Sequence, residues 1–94
     1  RLIVVGAHFD GHDIAQGAMD DGAGAVTIME AARALAKYKG TLKRTIRFIC
    51  FACEEIGVTG STCYVDKHRD ELDSIDLMIN CDGAGRGLRH GFRV

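Results

Sequence analysis

The feature that most constrains the fold is an apolar stretch, residues 48–53, which ends in two adjacent carboxylates, Glu54 and Glu55. Aromatic and aliphatic residues without polar alternation are typical of a strand that is covered on both faces. Carboxylates at the end of such a strand are costly, because an unpaired buried carboxylate loses its hydration or must take up a proton. A bound cation would remove this cost, and ligands of open α/β sheets bind at the carboxyl ends of the strands. We therefore interpret Glu54 and Glu55 as part of a binding site.

Strand-like and helix-like segments alternate along the chain. We predict strands at residues 2–5, 44–53 and 75–81. Residues 20–22 lead into a predicted helix that runs to about residue 38, and a second helix is predicted from Ser61, as N-cap, to about 68 or 72. Strands joined by helices pair in parallel through right-handed crossovers, so this order predicts a three-layer α/β/α fold with a mainly parallel sheet. The apolar stripe of the first helix and further residues are expected in the core: Ala25, Ile28, Met29, Ala32, Leu35, Ala36, Tyr64, Val65 and Met78.

The composition argues against two classes of partner. Twelve basic and thirteen acidic residues give a formal net charge of −1, which does not favour nucleic acid or an anionic membrane surface. No apolar run approaches the roughly 18 residues of a membrane span. The 94 residues suffice for one domain, and because a predicted strand starts at once, we expect the chain to be truncated. The oligomeric state is left open.

The four cysteines suggest a metal site or disulfides at first sight. However, Cys50 and Cys53 lie three apart on a predicted strand, so their side chains leave opposite faces and cannot bind one ion. We expect buried, unpaired thiols at Cys50, Cys53, Cys63 and Cys81. Unpaired thiols favour a reducing compartment such as the cytoplasm.

Candidate metal ligands follow all three predicted strands. The carboxyl ends of parallel strands share one edge of a sheet, so these side chains should converge there. Like charges at about 4 Å repel by about 4 kcal/mol at an effective dielectric near 20, so divalent cations or protons must compensate them. Carboxylates and neutral histidine are typical zinc ligands. The candidates are His8, Asp10, Asp20, Asp21, Glu54, Glu55 and Asp82, whereas His12 and Asp13 are interpreted as loop residues and His68 and His90 as surface residues.

Individual roles follow from the spacing of these residues. His8 and Asp10 leave the same side of an extended backbone, so Asp10 can hold the imidazole while His8 binds a metal. Of the two glutamates, one can bind a metal while the other accepts a proton from the attacking water. Asp20 is the best candidate to bridge two ions. Each of these residues alone would more often be a cap, a turn or a surface residue, and it is their joint placement that favours a site.

The motifs around these residues resemble those of the M28 family of co-catalytic zinc exopeptidases. The spacings from Asp20 to Glu55 and from Glu55 to Asp82 are also similar to those of the family. Residues 11–22 look closest to the carboxypeptidase Q branch, which cleaves dipeptides and small peptides, whereas other branches are aminopeptidases. The matching stretches follow the family's order and comprise residues 6–10, 17–24, 44–48, 52–57, 60–61 and 79–82.

The resemblance implies a site with two Zn²⁺ ions that acts on a small peptide substrate. His8 and Asp82 would bind one zinc ion, Glu55 would bind the second, and Asp20 would bridge them. It further implies that Glu54 is the general base, that Asp10 orients His8, and that the bond between Asp20 and Asp21 is cis. The last zinc ligand of the family is a histidine far beyond the position of Asp82, so we expect it outside these 94 residues. The resemblance therefore implies that residues 1–94 are a partial M28 peptidase catalytic domain, truncated at both ends.

Two alternatives to this interpretation stay open. One is a non-catalytic binding module on the same fold that has lost its metals. The other is a different metalloenzyme on this scaffold, such as an M20 or M42 peptidase or a glutaminyl cyclase. Secretion is also compatible with the resemblance. The sequence does not determine the preferred residue, or the choice between aminopeptidase and dipeptidase.

Overall fold

The computed structural model describes residues 1–83, and His90 lies outside them. The second strand ends earlier than predicted, whereas the first helix begins at Ala23, directly after the residues predicted to lead into it. An irregular turn, Ala18–Gly22, precedes the first helix, and a 3-10 helix, Arg69–Ser74, leads into the last strand. The main elements in chain order are β1 (Leu2–His8), α1 (Ala23–Ala36), β2 (Thr45–Phe51), α2 (Thr59–Lys67) and β3 (Ile75–Asn80).

The three strands form a parallel sheet in the order β2-β1-β3. Val5 of β1 lies opposite Phe48 of β2 and Ile79 of β3, and these side chains pack on the face that α1 covers. On the other face, the ring of Tyr64 from α2 meets Phe51 edge to face, with 5.8 Å between the ring centroids. The helices therefore lie on opposite faces, and the predicted three-layer α/β/α arrangement is confirmed.

The core lies between α1 and the sheet and is small. Ala7, Ile28 and Cys81 form its buried centre, and Ala25 and Ile28 are the buried members of the predicted stripe. Met29 is 49% exposed, because it lies at the border of the helix face that meets the sheet. Tyr64 is half-buried, and Val65 and Met78 are exposed, so the prediction that they lie in the core is wrong. Within residues 1–83, α2 covers its face of the sheet incompletely and contributes no buried residue.

Strand β2 is less covered than its composition predicts. Only Phe51 at its end is buried, because within residues 1–83 this strand is an edge of the sheet. Cys50 and Cys63 are exposed and Cys53 is half-buried, so the prediction of buried thiols is right only for Cys81. All four cysteines are unpaired, as expected.

The start of α2 differs from the prediction. The helix begins at Thr59, and Val58, with a left-handed φ of 58°, precedes it. Ser61 therefore lies inside the first turn, where its hydroxyl donates to the carbonyl of Val58 at 3.2 Å, and the prediction that it is the N-cap is wrong. Gly60 is required for another reason, since a Cβ there would lie 2.0 Å from the carbonyl oxygen of Ala52.

Arginines neutralise a carboxylate at the amino ends of the strands. Asp76 at the start of β3 accepts hydrogen bonds from Arg1 and from Arg44, the latter at 2.7 Å. These hydrogen bonds hold the pKa of Asp76 down to about 2. Within residues 1–83, no helix combines the length and apolar character that a membrane span requires.

Replacing Gly24 tests the packing of α1 against the end of β3. A Cβ at this position would lie 2.2 Å from the carbonyl oxygen of Cys81 and 2.3 Å from Oδ1 of Asp21. Helix propensity alone would make Gly24→Ala stabilising by up to about 1 kcal/mol. We expect instead a loss of about 1–3 kcal/mol or more in the free energy of unfolding, measured by chemical denaturation of the full-length gene product.

A matched control is Ala34→Ser at an exposed position of the same helix, which should change stability by about 0.5 kcal/mol or less. Unchanged or increased stability of Gly24→Ala would contradict the close packing of α1 described here.

Candidate metal centre

The candidate site lies at the carboxyl ends of β1 and β2. The chain leaves β1 towards α1 on one face of the sheet and leaves β2 towards α2 on the other face, which opens a crevice between the two strand ends. His8 is the last residue of β1. Glu54 and Glu55 lie in the turn after β2, and Asp82 follows β3. The three strand ends therefore meet, as the parallel order predicts.

The predicted metal ligands form one cluster, which we call the acidic cluster: His8, Asp20, Asp21, Glu55 and Asp82. Nε2 of His8 lies 3.0 Å from Oδ1 of Asp20 and 3.9 Å from Oδ1 of Asp82. Ligand atoms within 4.8 Å of one another come from His8, Asp20 and Glu55 in one group, and from His8, Asp21 and Asp82 in another. Both groups contain His8, so each places three ligand atoms around this imidazole.

His8 is held so that one nitrogen faces the acidic cluster. Its Nδ1 donates to the carbonyl oxygen of Asp10 at 3.0 Å, and because a carbonyl can only accept, this nitrogen carries the proton. Nε2, which faces Asp20, is therefore the nitrogen available for a metal. Burial lowers the pKa of His8, but the hydrogen bond to Asp20 and the charge of Asp21 outweigh it, so the pKa lies above its ordinary value. The cluster thus attracts positive charge to this position.

Asp10 joins the ends of β1 and β2. Its two carboxylate oxygens accept hydrogen bonds from the backbone N–H groups of Glu54 and Glu55, at 3.1 and 3.2 Å. Its Oδ1 also lies 3.6 Å from Nδ1 of His8. Burial raises the pKa of Asp10, but the two backbone N–H groups lower it by more, so the carboxylate stays ionised. Asp10 therefore positions His8 through its backbone carbonyl and the pair of glutamates through its carboxylate.

The turn that carries the glutamates has a specific backbone conformation. Cys53 has a left-handed φ of 60°, which reverses the chain immediately before Glu54. The carbonyl of Glu54 then accepts from the backbone N–H groups of Gly57 and Val58, at 3.1 and 2.8 Å. The prediction that the strand continues to Cys53 is therefore wrong by two residues, since β2 ends at Phe51. The side chain of Glu54 is half-buried.

Asp21 is the residue whose role the sequence did not reveal. Its side chain is completely buried, and its Oδ1 accepts from the backbone N–H groups of Gly24 and Gly83, at 3.1 and 3.0 Å. Burial raises the pKa of Asp21 despite these bonds. It thereby ties the start of α1 to the segment that carries Asp82. The glycine at position 24 was the available signal, because only a residue without Cβ leaves room for this carboxylate.

The peptide bond between Asp20 and Asp21 is cis, as the resemblance implied. Both residues have non-helical backbone angles within the turn Ala18–Gly22. Their side chains have different environments, because Asp20 is 44% exposed whereas Asp21 is buried. Asp20 therefore faces the open side of the acidic cluster, and Asp21 its closed side.

The side chains of the acidic cluster are suitable ligands for divalent cations. Within residues 1–83, two buried carboxylate oxygens have no hydrogen-bond partner, Oδ2 of Asp21 and Oε1 of Glu55. In that same part of the chain, the ion-pair partners of Asp10, Glu55 and Asp82 are histidines, whereas Asp76 at the opposite edge is paired with arginines. An imidazole with several carboxylates is a suitable ligand set for zinc. An open cleft of about 390 Å³ adjoins the cluster and is lined by residues 9–13, 15–17 and 22.

Comparisons with known proteins agree with the geometry. The model of peptidase family M28 matches residues 1–92. Leucine aminopeptidase 2 of Trichophyton equinum is 40% identical over 86 residues, which cover 90% of this chain and 17% of that protein. Carboxypeptidase Q of Xenopus laevis is 35% identical over 82 residues, covering 87% of this chain and 18% of that protein.

A third relative, leucine aminopeptidase 1 of Paracoccidioides brasiliensis, is 38% identical over an alignment of 95 positions with gaps, which covers 90% of this chain and 24% of that protein. The chain therefore spans less than a quarter of the length of these relatives. No solved structure matches the chain.

Replacing Asp10 by asparagine tests whether this residue organises the centre. Asparagine can accept from one of the two N–H groups of Glu54 and Glu55, but its own amide N–H₂ faces the other. We expect Asp10→Asn to weaken zinc binding by about 10- to 100-fold, measured by competition with a chelating dye on the full-length gene product.

The control is Asp13→Asn, which removes an exposed carboxylate from the neighbouring loop and should leave the zinc affinity unchanged. Equal zinc affinity of the Asp10→Asn variant and the unmodified protein would show that Asp10 does not position the ligands.

Proposed function

The chain belongs to peptidase family M28, and from this premise we propose that the protein is a zinc-dependent exopeptidase for small peptides. The proposed reaction is hydrolysis of a peptide bond next to the terminus of a small peptide. The observation that carries it is the convergence of His8, Asp20, Glu55 and Asp82 at one sheet edge, with a buried oxygen of Glu55 that has no partner within residues 1–83.

Four side chains are proposed to hold two zinc ions. His8 and Asp82 would hold one ion, Glu55 would hold the second, and Asp20 would contact both. Support comes from the ligand atoms of His8, Asp20 and Glu55, which lie within 4.8 Å of one another, and from Asp82, whose Oδ1 lies 3.9 Å from Nε2 of His8. The orientation of His8 through Nδ1 supports it as well. When bound, zinc would lower the pKa of a water molecule towards about 7 and withdraw electron density from the substrate carbonyl.

Glu54 is proposed as the general base. Its carboxylate would accept a proton from the attacking water as the new C–O bond forms, and would then deliver this proton to the leaving amine nitrogen as the C–N bond breaks. Two observations support the assignment. The backbone of Glu54 is anchored to Asp10 beside the acidic cluster, and the residue is only half-buried.

Asp10 and Asp21 are proposed to hold the other residues in place. Asp10 fixes the tautomer of His8 and the turn of the two glutamates, which reduces the movement needed when substrate binds. Asp21 fixes the segment after β3 from its buried side. Neither residue needs to contact the substrate for these roles.

The substrate class is proposed from the kind of relatives that the chain resembles. Two of them are named leucine aminopeptidases and one carboxypeptidase Q, which share the requirement for a peptide terminus. We propose small peptides with a free terminus as substrates of this protein. Family membership and an intact acidic cluster favour hydrolysis over a purely binding role.

Glu54→Gln tests the assignment of the base. Glutamine keeps the shape of the side chain but cannot take up the proton, so kcat should fall by at least about 100-fold. The zinc content of the full-length protein, measured by atomic emission, should stay unchanged. Glu55→Gln is the matched comparison, and it should lower the zinc content together with the activity. A zinc-replete Glu54→Gln variant with the original kcat would show that another residue accepts the proton.

A substrate panel tests the reaction class. Dipeptides, an amino acid amide and an N-terminally blocked dipeptide should separate aminopeptidase from dipeptidase activity, and a peptide with N-terminal glutamine reports cyclisation. We expect mass spectrometry to detect hydrolysis of at least one unblocked substrate and no cyclised product. Cyclisation of the glutamine peptide without hydrolysis of any dipeptide would contradict the proposed reaction.

A further inference from the structure

His12 is the histidine near the acidic cluster that the proposed function leaves unused. Its Nε2 lies 3.0 Å from Oε2 of Glu55, which is an ion-pair contact. We propose that His12 is a positioning residue that donates to Glu55 and thereby presents the other carboxylate oxygen to the second zinc ion. This inference rests on the proposed function and concerns residues 12 and 55 only. The sequence alone indicated no more than a loop residue at this position.

The state of the Glu55 side chain supports this role. The side chain is 11% exposed, and within residues 1–83 its Oε1 is buried without a hydrogen-bond partner. Glu55 shares a ligand group with His8 and Asp20, and with Oε2 held by His12, Oε1 is the oxygen left to bind a cation. A buried carboxylate with one oxygen held and the other free is suited to binding a cation with that free oxygen.

The loop that carries His12 is closed at its base. Gly11 and Gly17 approach each other so closely that a Cβ on Gly11 would lie 3.3 Å from the Cα of Gly17. At the tip of the loop, the backbone N–H of Ala15 donates to the carbonyl of His12 at 2.9 Å. Gly17 in turn accepts from the N–H of Gly22 at 2.7 Å, which ties the loop to the turn that carries Asp20. His12 therefore has a defined position relative to the acidic cluster.

Positioning explains the placement of His12 better than direct metal binding. Within the described residues, neither group of mutually close ligand atoms includes His12, although both include His8. The imidazole of His12 is 72% exposed and lies on the outer side of Glu55. His12 can therefore restrain Glu55 without occupying the space between His8, Asp20 and Glu55.

Zinc titration of the metal-free, full-length protein tests the inference without any substrate. For the unmodified protein we expect two zinc ions, resolved by calorimetry. His12→Ala should weaken one of the two binding steps by about 10- to 100-fold and leave the other unchanged. His12→Gln should restore most of this affinity, because the glutamine amide nitrogen can donate from nearly the same place as Nε2.

His68→Ala is the matched control, since His68 makes a similar pair with Glu71, at 2.8 Å, away from the centre. It should leave both zinc affinities unchanged. Unfolding temperatures of the metal-free variants show that they are folded, and His12→Ala should match the unmodified protein.

Three results would overturn the inference, and they differ from one another. Two undiminished zinc affinities in His12→Ala would exclude the positioning role and leave the proposed function intact. Equal loss in His12→Ala and His12→Gln would show that the imidazole itself binds the metal. Absence of zinc binding in the unmodified protein would overturn the proposed function and the inference with it.

Discussion

The structure depends on negative charge that is concentrated around one buried imidazole. His8 ends the central strand, and Asp20, Asp21 and Asp82 approach it from elements that are distant in the sequence. At the opposite edge of the same sheet, Asp76 is neutralised by arginines and its pKa falls to about 2. The acidic cluster differs from this pair. There, burial raises the pKa of Asp21, and the neighbouring carboxylates raise the pKa of His8. Such an arrangement is favourable only with a cation or proton among the carboxylates.

The fold produces this concentration through connections that also stabilise it. Asp10 fastens the turn after β2 to the end of β1, and Asp21 fastens the segment after β3 to the start of α1. The connection made by Asp21 requires glycine at position 24, since any Cβ there would collide with Asp21 and Cys81. Because the core between α1 and the sheet is small, the hydrogen bonds of Asp10 and Asp21 contribute much of the local order at the site. Ligand geometry and local stability are therefore coupled.

The sequence predicted the parts of the molecule that follow from strand order and chemistry. Parallel strands place their carboxyl ends at one edge, so the convergence of His8, Glu55 and Asp82 could be predicted without coordinates. Burial was predicted less well, because it depends on what covers each face. Cys50, Val65 and Met78 are apolar residues on elements that residues 1–83 leave partly uncovered. The role of Asp21 and the contact of His12 with Glu55 depend on loop conformation, which periodicity does not report.

The central claim is that these side chains share two zinc ions, and anomalous diffraction at the zinc absorption edge from crystals of the full-length protein tests it most directly. The account predicts two anomalous peaks about 3.5–4 Å apart, one beside His8 and Asp82, the other beside Glu55, with Asp20 in contact with both. Anomalous peaks at other residues, or a zinc-soaked crystal in which His8, Asp20, Glu55 and Asp82 contact no metal, would contradict it.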